Sequence, residues 1–98
     1  MRSLHLMKLR LPGQVQQDVA LREKERRKRM GYTQEQLAQK AGVSLGSLRR
    51  FEQTGSISFE SLVALSFALG CQEELSGLFA KHAYRSIEEV IDEARVSK

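Results

Sequence analysis

The chain has a single cysteine, Cys71, so no disulfide can form within it and a reducing compartment is its expected setting. No apolar run in it approaches the roughly 18–20 residues that span a bilayer. The opening stretch MRSLHLMKLRLPG interrupts its apolar residues with charges and shows no clear cleavage pattern, which makes it a poor secretion signal. The two histidines, His5 and His82, lie in different segments, and Cys71 has no obvious base beside it. A phosphate-cradling glycine loop and a metal-ligand cluster are both missing. Glu88, Glu89, Asp92 and Glu93 crowd together, but a solvated helix face accounts for them better than a cation site. These absences lead to the expectation of a soluble cytoplasmic protein that is not an enzyme and carries no cofactor.

What is present is basic and unevenly arranged. The formal charge is +4 over 98 residues, with 12 basic and 5 acidic residues through Gly55 and 4 basic and 6 acidic residues from Cys71 onward. Cation gathered in one half is where a polyanion would sit, although a solvated basic surface has the same charge count. A chain of this length suits one domain and buries only about 60–65% of its unfolded surface, so a second subunit sharing apolar surface would help.

Twenty residues from Gln34, QEQLAQKAGVSLGSLRRFEQ, read as a helix, a glycine turn and a second helix. Leu37, Ala38 and Ala41 have the spacing of a buried helix face. Gly42 stands where that helix must end, and Ser44 is a good N-cap for a helix carrying Leu48 and Phe51 on one side. Ala38 is small enough for two helices to cross steeply at close approach. The set fits a helix-turn-helix, whose second helix enters the DNA major groove.

From about Leu21 to Ala80 the chain resembles the Cro/repressor-type helix-turn-helix proteins, also called the xenobiotic-response-element family. The likeness is carried by GYTQEQLAQKAGVS, SLGSLRRFEQTG and ISFESLVALSFALG. Within that family, AGVSLGSLRRFEQTGSISFESL is similar to HipB-type antitoxins, which accompany HipA-type kinases. The resemblance implies a contact from Gln34 to DNA phosphate at a helix N-terminus, where free N–H groups and the dipole favour anions; a solvated first-turn glutamine is the alternative. It directs Ser44, Leu45, Gly46 and Arg50 towards the bases, flanked by Ser47 and Arg49. Arginine reads guanine O6 and N7 with a bidentate fork, so Arg50 is the leading base-reading residue. Arg49 suits a phosphate or plain solvent, and Ser44 needs to do no more than cap. A missing side chain at Gly46 would let the backbone approach DNA closely, with neutral drift as the alternative. The resemblance also pairs Arg27 with Glu52, foremost as a structural ion pair. One departure stands out: family members usually have an apolar residue eight positions before the glycine of the GYTQ-like motif, and here it is Glu23.

The expected fold is all-α: a five-helix repressor-type helix-turn-helix domain with a short N-terminal β-strand and an extra C-terminal helix. Residues 1–13 are expected to form the strand or arm, closed by Pro12 and Gly13. Residues 14–81 are the DNA-binding domain, and 82–98 are a linker and amphipathic helix. The first helix is expected over Gln14–Met30, with Leu21 and Met30 able to bury. Thr33 and Gln36 fit a capping box, and Ser58 caps a helix that is apolar enough to be a central core helix. A fifth helix, near Gln72–Ala80, is expected to supply Leu75, Leu78 and Phe79 to the core or to a subunit contact.

Three functions fit. One is a homodimeric transcriptional repressor bound to a palindromic double-stranded DNA operator. The second adds a HipA-like kinase toxin partner, making the chain the autoregulating antitoxin-type subunit of a bacterial toxin–antitoxin system, cytoplasmic and associated with the nucleoid. The third is a partner-binding scaffold in which the helix-turn-helix is only architectural.

Overall fold

The computed structural model describes residues 11–80. Five α-helices follow one another there: α1 (Pro12–Arg29), α2 (Gln34–Ala41), α3 (Leu45–Thr54), α4 (Phe59–Ala68) and α5 (Gln72–Ser76). No strand occurs among the described residues, and the expected N-terminal strand and C-terminal helix lie outside them. Pro12 and Gly13, expected to close a strand, instead open α1. Proline at the first helical position lacks only an N–H that would have had no partner anyway. The Gln14 side-chain oxygen accepts from the Leu11 N–H at 2.8 Å and secures that end.

The next three helices begin on local chemistry. The Gln36 N–H donates to the Thr33 hydroxyl at 3.0 Å while the Thr33 N–H donates to the Gln36 side chain at 2.9 Å, a reciprocal capping box. Ser44 and Ser58 accept from the N–H groups of Ser47 and Ser61, each at 3.0 Å. Gly42 ends α2 in the left-handed region at φ 72°, where a Cβ would be strained.

The core gathers Ala20 of α1, Leu37 and Ala38 of α2, Leu48 and Phe51 of α3, Leu65 of α4, and Leu69 just beyond it. α3 packs on both α1 and α2, while α4 lies against α2 and α5. The core is therefore one-sided with respect to α4. Only Leu65 and Ser66 of that helix are buried, and Phe59 and Phe67 are 62% and 64% exposed, so α4 is not the central core helix its composition implies. An all-apolar helix is buried all round only if something covers every side, and the described domain covers one. α5 likewise stops at Ser76, buries no residue, and leaves Leu78 and Phe79 exposed beyond it. Leu21 and Met30 point away from the core as well, because Ala20, Glu23 and Arg27 occupy the buried stripe of α1.

Candidate nucleic-acid interface

α3 divides cleanly into a held side and an open side. Leu48 and Phe51 are buried, and Leu45 is half-buried against the core. Ser44, Gly46, Ser47, Arg49 and Arg50 are exposed, and no side chain among the described residues engages either guanidinium. Ser44 and Ser47 are bonded to each other, hydroxyl to hydroxyl at 2.8 Å, so the capping serine is already occupied. A Cβ built on Gly46 would meet nothing within 4 Å beyond its own stretch of helix backbone, so the fold itself does not require glycine there. Gly55 is the opposite case. It ends α3 at φ 83°, and a Cβ would lie 3.0–3.2 Å from the Gln16 and Gln17 backbone and the Gln16 Cβ of α1. That close approach is invisible in sequence, since nothing local ties Gly55 to Gln16.

Behind the open side lies a buried polar cluster that fixes α3 to α1 and α2. Arg27 donates from Nε to Glu52 Oε2 at 2.8 Å and from Nη2 to Glu52 Oε1 at 2.9 Å, a parallel two-bond fork. Its Nη1 donates to the Tyr32 carbonyl at 2.9 Å, anchoring the turn between α1 and α2. The two side chains are 7% and 3% exposed. Gln34, half-buried in the first turn of α2, donates from Nε2 to Glu52 Oε1 at 2.9 Å. The structure thus brings Arg27, Glu52 and Gln34 together, whereas the exposed Ser44, Gly46, Ser47, Arg49 and Arg50 make no hydrogen bond to that cluster. Burial opposes ionisation of Glu52, but the bonds from Arg27 and Gln34, the neighbouring Glu23 carboxyl and the charge of Arg27 outweigh it and hold its carboxyl below the usual range. Arg27 is raised in turn, mainly by its bonds to Glu52.

Glu23 belongs to this cluster, although by resemblance it stands in an apolar position. It is 8% exposed and neither carboxyl oxygen accepts a hydrogen bond. A signal for it existed in the chain: with Ala20 and Arg27 it occupies positions three and four apart, one stripe of a helix. On the solvent side of α1, Arg26 reaches Glu74 at 3.3 Å.

A helix-turn-helix family model matches residues 24–75, just over half of the chain. The chain therefore belongs to the helix-turn-helix family, with a helix-turn-helix of the repressor type, and it is a DNA-binding regulator of transcription. No curated protein and no solved structure matches it. No helix among the described residues is long and apolar enough to cross a membrane.

Proposed function

We propose that the chain is a homodimeric transcriptional repressor that reads a palindromic operator with α3, and that it serves as the autoregulating antitoxin-type subunit beside a HipA-like kinase. The observation that carries the DNA reading is the open side of α3: two exposed arginines that no described side chain engages, beside a glycine, on a helix whose other side is locked by core and ion pair. In this arrangement Arg50 takes a guanine edge, Arg49 a phosphate, and Gln34 a second phosphate from the N-terminus of α2. Support for a dimer comes from the exposed Phe59 and Phe67 of α4, the latter lining a shallow groove of about 430 Å³ with Lys40, Ala41, Ala64 and Ala68. Two copies would address half-sites about 34–36 Å apart. The kinase partner rests on the HipB-like segment from Ala41 to Leu62 alone.

Arg50→Ala should weaken binding to the gene's own upstream DNA by about 1–3 kcal/mol, roughly 5- to 150-fold, and relax preference at one base position. Arg49→Ala should weaken all sequences alike and reduce the salt slope by about one. Full binding by Arg50→Ala would remove α3 as the reader. Gly46→Ala should leave the fold intact, with helix propensity favouring the alanine by at most about 0.5–1 kcal/mol, yet lower DNA affinity. Thermal unfolding and a DNA titration of that variant separate the two effects. Co-purification with the product of the adjacent gene decides the antitoxin role. DNA binding without it leaves a stand-alone repressor, and co-purification without DNA binding leaves a scaffold.

A further inference from the structure

We propose that Glu23 is a positioning residue of the interface: it stands as a neutral carboxylic acid that gives its hydrogen to Glu52, and this bond steadies the contact of Glu52 with Gln34 at the N-terminus of α2. The inference deepens the DNA-binding reading above and rests on it for its consequence at the operator.

The geometry leaves few alternatives for this side chain. Glu23 is buried, both its oxygens lack a donor, and it shares the buried stripe of α1 with Arg27, one turn on, whose fork holds the carboxyl of Glu52. Glu52 accepts two N–H bonds from Arg27 and one from Gln34. An ionised carboxyl has about four acceptor sites, so one remains for an O–H donor. Were Glu23 ionised, two buried carboxylates would face one guanidinium with nothing to bond the second. With Glu23 neutral, the cluster is balanced and every described member has a partner.

The charged groups around Glu23 are Arg27 on its own helix and Glu52 from α3; α2 contributes the neutral Gln34 amide, and Glu74 of α5 is taken by Arg26. Burial, followed by the bond to Glu52 and that carboxylate's charge, pushes Glu23 from 4.5 up to about 8, with only Arg27 opposing. The folded chain therefore keeps a proton that the unfolded chain releases near 4.5. Stability from this proton is full below about pH 4.5 and is lost as pH rises to about 8, by up to about tenfold in the folding constant per pH unit. Glu52 runs the other way: its contribution is present above the usual carboxyl range and lost as pH falls through its lowered value.

The test is a carboxyl-carbon NMR titration of the full chain from pH 4 to 9.5, following the Gln34 side-chain amide in the same samples. The expected result is a Glu23 midpoint near 8, with the Gln34 amide shifting at the same midpoint. In Glu23→Gln, an amide donates from the same place without ionising, and the alkaline shift of Gln34 should vanish. Glu23→Leu should abolish it too, which keeps a folded control if one variant is unstable. A Glu23 midpoint in the ordinary 4–5 range, or a Gln34 amide indifferent to it, overturns the proposal. Against a duplex of the gene's upstream region, wild-type affinity should fall severalfold between pH 7 and 9 while that of Glu23→Gln holds level with pH. Parallel declines in both proteins overturn the link from Glu23 to the interface. Absence of binding at every pH overturns the operator reading instead, and the NMR titration still decides Glu23.

Discussion

Arg27→Ala should destabilise the domain by about 3–5 kcal/mol, because it strands a buried carboxylate rather than trimming a surface pair. Glu52 would keep its bond from Gln34 but lose both bonds from the guanidinium, and the Tyr32 carbonyl would lose its donor. Small domains have only about 5–15 kcal/mol in total, so for a mid-range domain about a third to a half of its stability would go. Urea unfolding at neutral pH measures it directly, and a loss below about 1 kcal/mol would mean the pair is solvated after all. Arg27→Lys should rescue little, since a point charge cannot supply the two-bond fork and the third bond to Tyr32 together. Replacing Arg27, Glu52 and Glu23 at once with apolar residues of similar volume should cost less than Arg27→Ala alone, because no buried charge is left behind. The Glu52 carboxylate therefore matters to the domain chiefly through what happens when its partner is removed.

Phe51→Ala should cost a further 3–5 kcal/mol by a different route. Phe51 is 2% exposed and sits with Leu48 on the side of α3 facing the core. Removing the ring takes apolar surface out of the core and leaves a cavity that neighbouring helices can close only in part. DNA binding would fall with it, but only as far as the folded fraction falls. The comparison with Arg50→Ala is the useful one. That exposed substitution should change unfolding by no more than about 0.5 kcal/mol while still weakening DNA binding. If Phe51→Ala and Arg50→Ala gave the same pattern, the division of α3 into a held side and an open side would be wrong.

Local chemistry is what the sequence by itself determined. Thr33 with Gln36, Ser44, Ser58 and Gly42 act within a few residues of themselves, so their types and spacing alone placed the starts of α2, α3 and α4 and the turn between α2 and α3. The 3.6-residue period did the same for Leu37, Ala38, Leu48 and Phe51, whose burial needs only that one helix face meets a core. Pro12 shows the limit even of local signals: a proline–glycine pair both closes strands and opens helices, and here α1 begins on it. Where partners lie far apart along the chain, only the tertiary structure decided. Glu23 looked like a misplaced charge until α3 brought Glu52 against it, and Gln34 has its bond to Glu52 only because α2 and α3 pack together. Gly55 is tight because the end of α3 meets Gln16 of α1. Phe59 and Phe67 stayed exposed because the packing of α2 and α5 covers one side of α4 and leaves the other open, a fact about assembly in space that no run of apolar residues records.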